Sequence, residues 1–246
     1  MALRFVQVNF NASDPSRLGR FWADALGWEV TNDDSYEVNL EPAGFTYPEP
    51  SALVIDLVPV DDPKTVKNRV HLDLASHSPE HYAETVRRLE ELGATRADVG
   101  QRGDETWTVL ADPEGNEFCV LEPREAYQGT GPIAAVAIDC ADPVAQARFW
   151  SEATDWKVLD ADEDGARLHS SAGVGPYVEF IPTPDEKAVK NRVHFDLRPY
   201  PGDDQAAEAD RLRALGATDA DVGQKDEPWI VLADPEGNEF CILTAK

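Results

Sequence analysis

The chain has 246 residues, with 22 Lys+Arg against 47 Asp+Glu and a formal charge of −25. So negative a surface repels nucleic acid and anionic membrane, which excludes both as primary partners, and 42% apolar residues exclude a disordered acidic tail. No apolar run approaches the roughly 18 residues of a membrane span, the start lacks a signal peptide's apolar region, and three cysteines cannot build a disulfide framework. Cytosol is the expected setting.

Residues 3–11 alternate, with Val6, Val8 and Phe10 opposed to Gln7, Asn9 and Asn11, and predict a strand. Asp14 caps a helix with Pro15 at its first position. Leu18, Phe21, Trp22, Ala25 and Leu26 form its apolar stripe, and Gly27 ends it. Strands follow near 28–32, 35–41 and 52–58. The order then restarts with a strand over 69–75. Ser78-Pro79-Glu80 opens a second helix, with Tyr82, Val86, Leu89 and Leu92 on one side and Gly93 at its end. Strands near 95–100, 105–111 and 117–122 complete the unit, the last two joined by the hairpin Asp112-Pro113-Glu114-Gly115-Asn116.

The second half of the chain repeats the first. Phe21-Trp22 recurs as Phe149-Trp150, Lys67-Asn68-Arg69-Val70-His71 as Lys190-Asn191-Arg192-Val193-His194, and LADPEGNEFCVL from Leu110 as LADPEGNEFCIL from Leu232. The tryptophans pair as Trp22/Trp150, Trp28/Trp156 and Trp107/Trp229. Two domains are expected, 1–126 and 132–246, joined by a Gly-containing linker over 127–131. Each reads as two βαβββ modules, giving an α+β protein of four modules.

These motifs resemble the vicinal oxygen chelate superfamily of glyoxalase I, bleomycin-resistance proteins and extradiol dioxygenases. The similarity is greatest to glyoxalase-like domains carrying Lys-Asn-Arg-x-His-x-Asp, here Lys67 to Asp73 and Lys190 to Asp196, and the Asp-Pro-Glu-Gly-Asn hairpin at Asp112 and Asp234. The resemblance implies that two modules form an eight-stranded cup with helices outside, and that a divalent metal, where present, sits on four inward positions. Carried onto this sequence, those positions are Gln7, Asp56, His71 and Cys119 in domain one, and Ala135, Glu179, His194 and Cys241 in domain two. Both copies replace the family's final carboxylate with cysteine, and the second replaces the first ligand with alanine. Adjacent pairing of modules is the simplest topology, because consecutive elements tend to be neighbours. Pairing first with fourth and second with third would instead set His194 and Cys241 beside Gln7 and Asp56.

Gln7, Asp56 and His71 supply donors that suit an open divalent site, and a cysteine biases such a site toward Zn²⁺ over Mn²⁺, Ni²⁺ or Fe²⁺. One imidazole per cup does not make the two-His-one-carboxylate set of ring-cleaving dioxygenases. The competing reading has His71 and His194 held structurally by Asp73 and Asp196 on the same strand face. By alternation Arg69 shares that face, so Arg69-His71-Asp73 and Arg192-His194-Asp196 form rows able to bind an anionic or carbonyl ligand. In the alternative Arg69 is paired internally, with Asp73 or Asp56. Trp107 and Trp229 could stack on a flat ligand. The stretch 43–50, longer than its counterpart in the second copy and carrying Phe45 and Tyr47, is a candidate lid. Cys119 and Cys241 have no adjacent base and read as inert, and Cys140 as core.

Two functions follow. One is a small-molecule binder, of sequestering or resistance type, with no essential metal. The other is a divalent-metal-dependent lyase or isomerase working mainly in domain one on a carbonyl substrate, with Asp56 or a released ligand as base.

Overall fold

The computed structural model describes residues 2–224 and 227–245; Met1 and Lys246, the outer ends of the expected domains, lie outside them. Module one comprises β1 (Arg4–Ala12), α1 (Pro15–Leu26), β2 (Glu29–Asp33), β3 (Val38–Glu41) and β4 (Val54–Pro59). Module two comprises β5 (Val70–Leu74), α2 (Pro79–Glu91), β6 (Thr95–Arg96), β7 (Trp107–Ala111) and β8 (Glu117–Leu121). After a short 3₁₀ turn (Glu125–Tyr127), module three runs β9 (Ile133–Cys140), α3 (Pro143–Ala153), β10 (Lys157–Asp162), β11 (Gly165–His169) and β12 (Tyr177–Pro182). Module four runs β13 (Val193–Arg198), α4 (Gln205–Ala214), β14 (Thr218–Asp219), β15 (Ile230–Ala233) and β16 (Glu239–Ile242). The caps form as the residue types require: the Asp14 carboxylate accepts from Arg17 N at 3.0 Å, and Gly27 turns left-handed at φ +68° to end α1.

The strands form two mixed eight-stranded sheets, neither closed into a barrel, with order β14-β15-β16-β13-β1-β4-β3-β2 in one and β10-β11-β12-β9-β5-β8-β7-β6 in the other. Modules are therefore exchanged: first pairs with fourth, second with third. This corrects the adjacent pairing expected within 1–126 and within 132–246. The seam of each sheet is antiparallel, with Gln7 opposite Asp196 and Asn9 opposite His194 in one, and Asp73 opposite Ala135 and His71 opposite Ala137 in the other. The linker drops β9 directly onto the free edge of β5, where Ala75 N donates to Pro132 O at 2.9 Å. That leaves β1 and β13 to pair across the longest separation in the chain. The helix-facing sides of both sheets merge into one apolar core, in which Trp22 of α1 packs on Phe10 of one sheet and Phe118 of the other.

Most of the two repeated motifs is spent on holding the sheets together. Glu114, from the hairpin of module two, accepts from the backbone N–H groups of Ser13 and Asp14 in module one and from Arg192 of module four. Glu236 does the same for Ala141 and Asp142, with Arg69 at 3.5 Å. Asn68 and Asn191 act within their own modules, donating to Asn116 and Asn238 at 3.1 and 3.0 Å. No helix among the described residues is long and apolar enough to cross a membrane.

Candidate functional site

Each cup places its polar side chains on the concave face because period-two strands with one apolar face must turn the other away from the helices. In the cup of modules one and four, Gln7 and Asn9 of β1, Asp56 of β4, His194 and Asp196 of β13 and Cys241 of β16 converge. The Gln7 side-chain nitrogen donates to Asp196 at 2.9 Å and also to Asp56, so one amide bridges two buried carboxylates. His194 Nε2 stands 3.5 Å from Asp196 Oδ1, which has no hydrogen-bond partner among the described residues, nor does Asn9 Oδ1. Burial pushes Asp56 up to about 7, against the lowering by Asn39 and with the Asp196 charge adding to it. Burial likewise raises Asp196 to about 7 in spite of its bond from Gln7, and holds His194 down at about 4, in its neutral form. The Cys241 thiol is pushed well above its ordinary value by burial and by the neighbouring Asp196.

The long stretch of module one covers this cup. Tyr47 Oη donates to Gln7 Oε1 at 3.2 Å and accepts from Arg198 Nε at 3.0 Å, and the Arg198 guanidinium lies over the Tyr47 ring.

The cup of modules two and three holds His71, Asp73, Cys119 and Glu179, but Ala135 occupies the Gln7 position and Ala137 the Asn9 position, so no amide bridges the carboxylates. Its cover comes from the linker: Tyr127 Oη donates to Glu179 at 2.7 Å, and burial with that carboxylate raises the phenol. His71 Nε2 is 3.6 Å from Asp73 Oδ1, an atom that also lacks a hydrogen-bond partner among the described residues. Burial raises Asp73, and it raises Cys119 well above the ordinary thiol range.

The structure thus divides the expected sets. Gln7 and Asp56 sit with His194 and Cys241, while His71 and Cys119 sit with Glu179 and Ala135; no cup contains Gln7, Asp56, His71 and Cys119 together. Arg69 and Arg192 leave the rows assigned to them. Arg69 donates to the carbonyls of Asp139 and Asp185, and Arg192 to Asp62 O and Glu114, so both tie the crossing connections between sheets rather than facing a cup. Trp107 shares the cup-side face of β7 with Val109 and lies at the rim, 38% exposed. Trp229 stands just before β15, two residues from Val231, and is half-buried. The sequence reading missed Asn9, Arg198 and Tyr127. Asn9 was legible as a polar residue on the face of Gln7; Tyr127 had only its aromatic character in an otherwise polar linker.

Three ligand atoms in each cup lie within 4.8 Å of one another, from His194, Asp196 and Cys241 in one and His71, Asp73 and Cys119 in the other. Imidazole, carboxylate and thiol form a donor set that fits Zn²⁺ better than a hard ion, and the Oδ1 of each aspartate has no hydrogen-bond partner among the described residues.

The Glyoxalase-like domain family matches residues 7–121 and again 135–243. The chain belongs to that family. The glyoxalase-like protein shares its fold with glyoxalase I from Zea mays, at TM-score 0.66 and 14% identity, over 99% of this chain and 92% of that one. It shares it equally with a Bacillus subtilis protein provisionally named a dioxygenase, at TM-score 0.67 and 15% identity, over 99% and 85% of the two chains. Identities this low establish the vicinal-oxygen-chelate fold alone. A search of curated protein sequences finds no match.

Proposed function

We propose that the glyoxalase-like protein binds a small organic molecule in the cup of modules one and four, as a sequestering or resistance-type protein that needs no metal for it. The observation that carries this reading is the pair of buried acceptors without partners among the described residues, Asn9 Oδ1 and Asp196 Oδ1, in one cup. A buried acceptor left unpaired costs about 1–3 kcal/mol, which a ligand donor placed there returns. With Gln7 Oε1 and two carboxylates beside them, the cup is rich in acceptors and suits a ligand bearing N–H or O–H groups. Tyr47 supplies a cover whose hydroxyl already occupies one such position on Gln7. The experiment is a thermal-shift screen of amines and polyols on the wild-type protein, Asn9→Ala and Tyr47→Phe. A compound that stabilises the wild type and loses its effect in Asn9→Ala supports the reading. Compounds that act equally on both proteins overturn it.

The second reading, a metal-dependent lyase or isomerase, is favoured by the His194-Asp196-Cys241 cluster. A Zn²⁺ held there would polarise a substrate carbonyl. Asp56 would take a proton from the adjacent carbon, and Gln7 would orient it through their hydrogen bond. Elemental analysis of protein purified without chelator or metal resin, repeated on His194→Ala and His71→Ala, separates the two. Near-stoichiometric metal lost with His194 selects the second reading.

A further inference from the structure

A cleft of about 590 Å³ opens between the two crossing connections, residues 60–69 and 183–192, and is lined by Lys64, Lys67, Arg69 and their repeats Lys187, Lys190 and Arg192, with acidic residues between them. Five of these six cations have a carboxylate. Lys64 pairs with Glu117 at 2.7 Å, Lys187 with Glu239 at 2.8 Å, Arg69 with Glu236 at 3.5 Å, Arg192 with Glu114 at 3.0 Å and Lys67 with Asp139 at 2.5 Å. Lys190, half-buried, has neither ion pair nor hydrogen bond among the described residues. The cause is one substitution between the repeats. Asp139 near the end of β9 faces Lys67, but the same place near the end of β1 holds Asn11, whose backbone N–H still bonds Arg192 O at 2.8 Å as Asp139 N bonds Arg69 O at 2.7 Å. The Asn11 amide nitrogen is turned to Asn191 O at 3.3 Å. A cation of a sixfold set therefore stands in a cleft with its counter-charge deleted.

We infer that this cleft binds a small organic carboxylate at Lys190, the ligand's carboxylate taking the part that Asp139 plays for Lys67. A single carboxylate is favoured over a multiply charged anion because Lys190 is one unpaired cation, while Asp62, Asp185 and Glu186 on the same wall and the chain's net charge of −25 disfavour adding more. Arg69 and Arg192, committed to carbonyls and glutamates, frame the cleft without competing for the ligand.

The test is an NMR titration of isotopically dimethylated lysines with sodium acetate at constant ionic strength, with chloride as the reference salt. The Lys67 and Lys190 signals are assigned through Lys67→Arg and Lys190→Arg. The expected result is a saturable acetate shift at Lys190, absent with chloride, while Lys67 stays still. Asn11→Asp, which only reproduces the pair already present in the other repeat, weakens acetate at Lys190 by about tenfold or more. Asp139→Asn makes Lys67 respond as Lys190 does. No saturable shift at Lys190, or an unchanged midpoint in Asn11→Asp, overturns the inference. Because the signal is read at Lys190, its failure is distinct from failure of the proposed ligand in the cup.

Discussion

Gln7 donates its side-chain N–H to Asp196 at 2.9 Å across 189 residues of sequence. The bond joins the first strand of the first module to the first strand of the last, so the cup it lies in is owned by neither half of the chain.

Cutting the chain in the linker should therefore not release two independent domains. Expressed alone, residues 1–126 expose the seam edges of β1 and β5, each a row of unpaired backbone groups. The expected outcome is that neither half behaves as a folded monomer by size exclusion and near-UV circular dichroism. Mixed, the halves form a one-to-one complex with the spectrum of the intact chain. A monomeric, cooperatively melting 1–126 would contradict the exchanged pairing.

Burial of Asp56 has a defined pH signature. Its carboxyl is raised from 3.8 to about 7 in the folded protein, so the fold keeps a proton that the unfolded chain releases. Stability from this group is greatest at low pH and falls as pH rises from about 4 to about 7. Asp56→Asn removes that fall. The difference in melting temperature, variant minus wild type, should rise between pH 5 and pH 7 and level off above it. A flat difference would show that Asp56 titrates normally.

Gly175 meets the module-one cover at close quarters. Its φ is +82°, and an added Cβ would stand 2.1 Å from Pro50 O. Gly175→Ala should cost about 2–4 kcal/mol, from left-handed strain plus displaced backbone. Gly173, at φ +69° with open space around it, is the control; Gly173→Ala should cost only about 1–2 kcal/mol. Thermal melts of the two variants compare them directly, with the larger loss at Gly175.

The cysteines should be silent toward thiol reagents. Cys119, Cys140 and Cys241 are buried, and burial pushes the Cys140 thiol up to about 12 and the other two well above the ordinary range. In a thiol-disulfide exchange assay at pH 8, the native protein should show no fast-reacting thiol and the denatured protein three. Fast labelling of Cys241 in the native state would place an accessible nucleophile in the cup of modules one and four.

Local structure was legible because it is set by neighbours in sequence. The Asp14-Pro15 helix start, the Gly27 stop, the alternation of β1 and the Asp112–Asn116 hairpin need only caps, φ preferences and a two-residue period, and the structure places all of them within a few residues. Because these signals occur in the same order four times, the module count, the α+β class and the family resemblance were also in the sequence. So was the cup-side placement of Gln7, Asp56, His71, His194 and both cysteines, since alternation fixes which face a side chain takes.

The partners of those faces were decided only by the tertiary structure. β1 and β9 hold the same place in their modules, as do β5 and β13, so the repeat offers each seam edge two equivalent mates and module order cannot choose between them. The choice falls to the linker that sets β9 beside β5 and to Arg69 and Arg192, whose guanidinium groups find their acceptors on the opposite connection. That choice moved His194 next to Gln7, left Ala135 facing Asp73, and drew both arginines out of the cups.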